Sequence, residues 1–238
     1  MRVASPEVCL APSAGAGYHG RVKHREASGL DLLLRCFTAI IYLSLLYEIA
    51  VIRVPSVAST YQLFFVPPRP FSSSLVARVR HWPLPVKLLL LFLPTAISVV
   101  VYMLPLAQAI WPLFGERLHR VQLPLNGAVL AVGTLFCIVG RWAGILAAHR
   151  LQETEAPIVG AQALHTSGVF GVTRNPILIG MVMTFFGLWL LFPSWEMAAG
   201  FLIFLANMHF RVRLEESFLS EEYGASYEQF LLQTRRYL

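Results

Sequence analysis

The feature that most constrains this chain is a series of apolar runs with the character of membrane-spanning segments. An α-helix needs about 20 mostly apolar residues to cross the hydrocarbon core, since each residue advances the helix by about 1.5 Å. Such runs cover residues 36–52, 88–114, 123–148, 176–192 and 195–207. The sequence therefore predicts an all-α polytopic membrane protein with about five transmembrane helices.

The composition agrees with this class and excludes others. Apolar residues make up 56% of the 238-residue chain and charged residues only 13%, against about 25% charged residues in soluble domains. The net charge of +6 comes from basic residues spread through the loops, so we expect no nucleic-acid partner. The three cysteines are far apart, without CxxC or Cys/His spacing, so we predict neither a disulfide framework nor a metal site.

The chain divides into an extension and a single membrane domain. Residues 1–30 are rich in Ala, Gly, Ser and basic residues, which predicts a flexible N-terminal extension, with an organelle-targeting arm as the alternative. Residues 31–238 are expected to form the membrane domain. Residues 53–87 contain VPPRPF and SSS, and predict a Pro-rich loop that skims the membrane through Phe64, Phe65 and Trp82.

Some residues in the spans are unusual for simple apolar helices. Pro94, Pro105 and Pro112 should kink the second span, because proline lacks an amide hydrogen and its ring clashes with the preceding turn. Glu48 lies near the end of the first span, and Arg141 lies inside the third. An unpaired charge there costs a few kcal/mol, so we expect Arg141 to face protein, water or headgroups.

The distribution of Lys and Arg predicts an orientation. Eleven of these residues fall on one side of the five spans and six on the other. Because cytoplasmic loops carry the excess of positive charge, the loop between the third and fourth spans and the C-terminal tail should be cytosolic. The last thirty residues are charged and amphipathic, which predicts a cytosolic amphipathic helix at the C terminus.

Polar residues on this side concentrate in two stretches. These are residues 164–180, LHTSGVFGVTRNPILIG, and residues 211–227, RVRLEESFLSEEYGASY. The turn at Pro193-Ser194 makes the fourth and fifth spans a tight hairpin, which should bring both stretches to the same membrane boundary.

The second stretch offers charged side chains for binding. Arg211 and Glu215 are four residues apart and share a helix face. Taken by themselves, a snorkelling Arg beside a surface Glu is the favoured explanation, and a binding role is the alternative. Glu215 and Glu216 form an adjacent carboxylate pair near apolar surface, suited to an organic cation, with a solvated charged face as the alternative.

Motifs of several other enzyme classes do not occur. The sequence contains neither GxGxxG nor GxxxxGK[ST], and neither GxSxG nor HExxH, so nucleotide hydrolases, serine hydrolases and zinc proteases are not predicted. His149, His165 and His209 are scattered and favour interfacial polar roles over metal binding. Arg174-Asn175-Pro176 opens the fourth span, where helix capping explains these residues as well as ligand binding does.

Together these residues resemble the C-terminal signature of the isoprenylcysteine carboxyl methyltransferase and phospholipid methyltransferase superfamily. That pattern reads GxYxxxRHPxYxG, then a two-span hairpin, then an EE pair and FGxxYxxY. The matching residues, in the same order and spacing, are Gly168, Phe170, Arg174, Asn175, Pro176, Leu178, Gly180, Glu215, Glu216, Tyr223, Gly224, Tyr227 and Phe230. The run ALHTSGVF is particularly similar to the isoprenylcysteine branch, and the resemblance covers about residues 130–235.

The resemblance implies a membrane-embedded methyltransferase that uses S-adenosylmethionine and a lipid-like or prenylated acceptor from the bilayer. By the family pattern, the cofactor would be bound by Leu164, His165, Phe170, Arg174, Asn175, Pro176, Ile177 and Glu216. Arg211 and Glu215 would serve the acceptor and the chemistry. The favoured reaction is methyl esterification of the carboxylate of isoprenylated cysteine, and a eukaryotic member would reside in the endoplasmic reticulum.

Departures from the family pattern leave other functions open. Asn175 stands where the family has His, Leu178 where it has Tyr, and Phe170 lacks the hydroxyl of the family Tyr. These departures make a non-catalytic membrane subunit an alternative. A sterol-reductase-like protein is another, because that group has a similar GxxxxxRHxNYxG stretch and KYGxxW tail. A phospholipid N-methyltransferase is a third, because the sequence does not identify the acceptor. A carboxylate acceptor is already ionised and needs only a cation such as Arg211, whereas an ethanolamine headgroup needs a base, for which Glu215 or Glu216 is the candidate.

Overall fold

The structure is a computed structural model that describes residues 16–52, 75–124, 126–152 and 168–237. Its helices are α1 (Ala16–Tyr47), α2 (Leu75–Arg80), α3 (Leu84–Lys87), α4 (Leu93–Tyr102), α5 (Leu104–Ile110), α6 (Pro112–Gly115), α7 (Gly127–Gln152), α8 (Val169–Val172), α9 (Pro176–Leu191), α10 (Trp195–Tyr223) and α11 (Ala225–Gln233). Segments of π-helix follow α1 and α3, over Glu48–Ile52 and Leu88–Phe92. The described residues form no strand, which confirms the predicted all-α class.

The predicted spans correspond to four long helical stretches and one short helix. Gly29–Ala50, Leu84–Ile110, Gly127–Arg150 and Trp195–Glu221 are long and apolar enough to cross a membrane, as expected of an integral membrane protein. The helix α9 is equally apolar but has only 16 residues, a length of about 24 Å.

The last span continues beyond its predicted end at residue 207. The helix α10 runs to Tyr223, because Leu, Glu and Arg residues extend a helix after the apolar run has ended. It stops at Gly224, whose φ of 51° is the left-handed conformation that glycine adopts readily. The predicted C-terminal helix follows as α11.

Proline chemistry breaks the second span at the expected places. The π-helical segment Leu88–Phe92 comes just before Pro94, and a non-helical turn at Met103 comes just before Pro105. Trp111, with a φ of −128°, is extended and precedes Pro112. Each proline removes a backbone hydrogen bond, so this span consists of short helices.

Glycines allow α7 and α9 to pack backbone against backbone. A Cβ atom on Gly180 would lie 2.5 Å from the Gly140 carbonyl oxygen, and one on Gly187 would lie 2.6 Å from the Gly133 carbonyl oxygen. Small residues at such positions permit the close approach of transmembrane helices. This contact fixes the start of α9 against the middle of α7.

A buried ion pair joins α1 to α7. Arg141 Nη2 lies 2.5 Å from Glu48 Oε2 and also donates to the Ser44 carbonyl oxygen, at 3.0 Å. Arg141 Nε donates to Ser44 Oγ at 2.8 Å. The Arg141 and Glu48 side chains are 5% and 7% exposed. Arg141 was expected to face protein, water or headgroups, and in the structure it faces protein. Each charge of the pair offsets the cost of burying the other.

Part of the predicted Pro-rich loop is helical. Residues 75–80 and 84–87 form α2 and α3, and Leu75 and Val79 of α2 pack against apolar residues of α10. Val79 is fully buried and belongs to one cluster with Leu91 and Leu214. Trp82 stacks on Phe210 with ring centroids 6.3 Å apart, so this part of the segment packs on α10.

Other expectations fall partly or wholly outside the described residues. Phe64 and Phe65 lie outside them. Residues 1–15 of the predicted N-terminal extension also lie outside, while residues 16–30 are helical and form the beginning of α1.

Candidate active site

The C-terminal tail, which follows α11, lies against the residues that precede α9. Thr173 and Arg235 form a parallel β-bridge, and the Arg174 backbone N–H donates to the Arg235 carbonyl at 3.0 Å. The Arg236 carbonyl accepts hydrogen bonds from Asn175 Nδ2 at 3.0 Å and from Thr173 Oγ1 at 3.2 Å. Asn175 is thus used to hold the tail in place.

A carboxylate from α10 lies between two arginines at this point. Glu216 Oε1 is 3.3 Å from Arg174 Nη1. Arg236 donates from Nε to Glu216 Oε1 at 3.0 Å, and its Nη2 lies 2.7 Å from Glu216 Oε2. We call Arg174, Glu216 and Arg236 the ion cluster. It joins the start of α9, the end of α10 and the tail.

The ion cluster has an excess of positive charge and an unused donor. Two guanidinium groups face one carboxylate, so the cluster carries a formal charge of +1. The Arg174 side chain is 11% exposed, and its Nε is buried with no hydrogen-bond partner among the described residues. The hydrogen bond to Glu216 raises the pKa of Arg236, which therefore stays cationic. A buried, unpaired donor on a cation favours an anionic ligand.

Buried aromatic residues adjoin this region. Tyr227, on α11, is only 1% exposed, and burial raises its pKa well above the ordinary value, so the phenol stays neutral. Its ring centroid lies 6.1 Å from that of Phe230. Phe170, on α8, is 9% exposed. Apolar rings in these positions limit the access of water.

The structure brings some predicted cofactor residues together. Arg174 contacts Glu216, and Asn175 follows Arg174 directly, with its side chain on the tail. Pro176 is the buried first residue of α9, and Ile177 follows it, partly buried. Leu164 and His165 were also predicted to bind the cofactor, and both lie outside the described residues.

Arg211 and Glu215 occupy another side of α10. Consecutive helical residues are separated by about 100° around the axis, so the side chains of Glu215 and Glu216 leave α10 in different directions. Glu215 is exposed and Arg211 is partly buried, one turn earlier. The adjacent carboxylates predicted to bind one cation therefore point in different directions, and only Glu216 belongs to the ion cluster.

Sequence reasoning did not select Arg236, Thr173 or Tyr237 as site residues. Arg236 lies 20 residues after Glu216, so no helical spacing connects them. In the sequence, Arg236 was used only as one of the basic residues that predict the orientation of the chain in the membrane. His209 was expected to be a simple interfacial side chain, yet its Nδ1 lies 3.0 Å from Tyr237 Oη. Within the described ranges, no group of three His, Cys, Asp or Glu could hold a metal ion.

Comparison with known families gives a match to part of the chain. The model of the phospholipid methyltransferase family matches residues 128–226, from the start of α7 into α11. This range includes Arg174 and Glu216 and ends before Arg236. The match lies in the superfamily that the sequence motifs resemble, and it confirms that resemblance. Comparisons with curated proteins and with solved structures found no match.

Proposed function

We propose that this protein, whose residues 128–226 match the phospholipid methyltransferase family, transfers a methyl group from S-adenosylmethionine to a lipid-like acceptor in the membrane. The observation that carries the proposal is the ion cluster. Within the matched region, it places a carboxylate and a buried cation beside each other at the start of an apolar helix.

The charges of the ion cluster fit the amino-acid end of the cofactor, which carries a carboxylate and an ammonium group. Arg174 has a buried Nε without a partner among the described residues, which suits the carboxylate. Glu216 has the complementary charge for the ammonium group. When bound, S-adenosylmethionine supplies a methyl group activated by its sulfonium.

The residues of this chain contribute mainly positioning. Arg236 holds Glu216 through three contacts of 2.7 to 3.0 Å, so the carboxylate has a fixed direction. The tail holds Asn175 and thereby the entry to α9. Orienting two reactants can supply about 7–11 kcal/mol of a reaction barrier, so a rigid arrangement of this kind is sufficient for methyl transfer to a reactive acceptor.

The first candidate acceptor is a phospholipid with an amine headgroup, because the matched family is described by phospholipid methylation. The second is the carboxylate of isoprenylated cysteine, favoured by the run ALHTSGVF and by Arg211. Arg211 lies five residues before Glu216, about 7.5 Å along α10 and on another side of the helix, where its guanidinium would bind an acceptor carboxylate that approaches from that side.

Calorimetric titration of the purified protein with S-adenosylmethionine tests the proposal. We expect saturable heat and a raised unfolding temperature. If millimolar S-adenosylmethionine gives no heat and no change in unfolding temperature, the methyltransferase proposal is rejected. A non-catalytic membrane subunit or a sterol-reductase-like protein would then remain.

Transfer of a radiolabelled methyl group identifies the acceptor. Phosphatidylethanolamine and farnesylcysteine are offered to the same preparation, and we expect label in the phospholipid. If farnesylcysteine is methylated instead, Arg211→Ala should raise its KM while cofactor affinity is unchanged. Arg117→Ala, an exposed arginine between the second and third spans, is the control.

We also propose that the ion cluster and the tail face the cytosol, because the more basic loops lie at this end of the helices. A eukaryotic member would reside in the endoplasmic reticulum. Labelling of an Arg235→Cys variant with an impermeant thiol reagent in oriented vesicles tests the sidedness, and reaction only from the lumenal side would reject it.

A further inference from the structure

We propose that His209 is the general base for methyl transfer to an amine acceptor, with Tyr237 as the positioning residue for its imidazole. The inference rests on the proposed function with an amine-bearing lipid. It starts from the hydrogen bond between His209 Nδ1 and Tyr237 Oη, 3.0 Å long, which connects α10 to the tail.

The location of His209 is unusual for a residue without a function. It lies inside the apolar stretch Trp195–Glu221 and is exposed on the surface of the structure. It follows Trp195, the first residue of this stretch, by 14 residues, about 21 Å along the helix axis. Ionisable residues within membrane spans are costly and mark substrate sites or proton relays.

His209 shares a helix face with the ion cluster. Glu216 follows it by seven residues, which is almost two full turns and about 10.5 Å along the axis. The tail lies along α10 between His209 and Glu216, because Arg236 contacts Glu216 and the next residue, Tyr237, contacts His209. A lipid headgroup entering beside α10 would therefore meet His209 next to the proposed cofactor site.

An anchor for the acid group of the same headgroup lies one turn away. Arg213 is exposed and follows His209 by four residues. Side chains at this spacing are neighbours, with Cβ atoms about 5–6 Å apart. A headgroup with a phosphate and an amine two carbons apart can contact both side chains.

An amine acceptor needs a base, and the carboxylates of α10 do not suit this role. Both carboxylate oxygens of Glu216 are engaged by the guanidinium groups of Arg174 and Arg236, so they are not free to contact an acceptor ammonium. Glu215 lies on another side of the helix. Histidine exchanges protons near neutral pH, and His209 is on the same face as the ion cluster.

The proposed step balances as follows. An N–H bond of the acceptor ammonium breaks, and its proton moves to Nε2 of His209, while Nδ1 donates to the Tyr237 hydroxyl. The freed nitrogen lone pair forms the new N–C bond as the S–C bond of the sulfonium donor breaks, and that bonding pair stays on sulfur. The histidine then releases its proton to solvent.

The test compares the wild type, His209→Gln, Tyr237→Phe and the control His81→Gln, an exposed histidine after α2. Each is assayed with phosphatidylethanolamine and with farnesylcysteine over a range of pH, and each is titrated with S-adenosylmethionine. We expect His209→Gln to lower kcat with the amine lipid by about 10²- to 10⁴-fold near neutral pH, with cofactor affinity within about twofold. Tyr237→Phe should give a smaller loss, and His81→Gln none.

The pH profile distinguishes a base from a structural contact. Without its base, His209→Gln should be active only at high pH, where the free amine of the acceptor predominates, so its pH profile should differ from that of the wild type. Tyr237 contacts His209 directly. The other charged groups of this region are Arg236 beside Tyr237 in the tail, Arg213 and Glu216 on α10, and Arg174, which contacts Glu216.

The possible outcomes separate three claims: the role of His209 as a base, the role of the tail, and the proposed function. A wild-type rate and pH profile in His209→Gln, or loss of cofactor affinity in parallel with kcat, would overturn the role of His209 as a base. Cofactor binding with methylation of farnesylcysteine alone would overturn the inference and leave the proposed function. If His209→Gln does not fold, an unchanged pH profile in Tyr237→Phe would overturn the role of the tail. No cofactor binding by the wild type would overturn the proposed function itself.

Discussion

Two groups of charged residues in this protein, both built from Arg and Glu, differ in their balance. The Glu48–Arg141 pair has one cation for one anion, and Ser44 accepts two further hydrogen bonds from the same guanidinium. The ion cluster has two cations for one anion, and its Arg174 Nε has no hydrogen-bond partner among the described residues.

The difference separates a structural role from a binding role. A balanced pair lowers the cost of burying each charge and fixes how two helices meet, but it leaves no charge for a ligand. An unbalanced cluster at the end of a span has a remaining charge, which a ligand of opposite charge can neutralise. We therefore expect substitutions in the first group to change stability and those in the second to change cofactor affinity.

The largest expected effect is on stability, from Glu48→Leu. It leaves Arg141 buried without its counter-ion, which should lower the free energy of unfolding by about 3–5 kcal/mol. Denaturation in detergent measures this change. The double variant Glu48→Leu/Arg141→Met should recover most of it. Asp31→Asn, which removes the exposed Asp31–Arg35 pair of the same helix, is the control and should cost less than about 1 kcal/mol. A double variant as unstable as the single one would contradict this interpretation.

The next effect concerns the contact between α7 and α9, which connects the helix of Arg141 to the helix that begins at the ion cluster. In Gly180→Ala, the new Cβ would lie 2.5 Å from the Gly140 carbonyl oxygen and 2.8 Å from the Gly144 nitrogen, so α7 and α9 must separate. We expect a loss of about 1–3 kcal/mol in thermal unfolding, together with weaker cofactor binding, because α9 begins at the ion cluster. Gly127→Ala, with no atom within 4 Å of its Cβ, should change neither quantity.

A smaller effect is expected from Glu216→Gln. The amide keeps the size of the side chain but removes the charge that faces the cofactor ammonium. The Kd for S-adenosylmethionine should rise about tenfold, equivalent to about 1.4 kcal/mol. Since two ion pairs are lost, the unfolding temperature should also fall, but less than in Glu48→Leu, because this group is more exposed. Glu221→Gln, an exposed residue of the same helix, should bind normally. A large loss of stability with unchanged affinity would make the ion cluster a structural group like the Glu48–Arg141 pair.

The smallest effect is the pH dependence that Tyr227 contributes. Burial raises its pKa above the unfolded value of 10.0, so the neutral phenol stabilises the fold fully below that pH. This contribution is lost as the pH rises through the range between the unfolded and folded pKa values. Thermal unfolding at pH 8 and pH 11 should show a smaller alkaline loss in Tyr227→Phe than in the wild type. Tyr47→Phe, on α1, should retain the wild-type loss.

Much of the fold could be predicted because it depends on local chemistry. Apolar length located the spans, and the chemistry of Pro94, Pro105 and Pro112 located the breaks in the second one. The end of α10 could not be located in this way, because hydropathy reports the membrane boundary, whereas the helix continues with soluble helix-forming residues until Gly224.

The site could be predicted only in part, for a similar reason. Arg174 and Glu216 were identifiable from their motifs, as polar residues at the membrane boundary. Their partner Arg236 is distant in sequence, and the pairing depends on a tail that turns back along α10. No periodicity encodes such a contact. Glu215 and Glu216 are adjacent in the motif, which suggests that they act together. Because consecutive residues of a helix are about 100° apart, their side chains leave α10 in different directions.

The short length of α9 has a consequence for how a lipid reaches this site. At about 24 Å, the helix is shorter than an average hydrocarbon core of about 30 Å. Such hydrophobic mismatch is relieved when the surrounding bilayer thins. The leaflet beside the ion cluster would then be depressed, and headgroups would descend toward His209 while their acyl chains stay in the membrane. The protein would in this way bring the bilayer surface to its site instead of extracting a lipid from it.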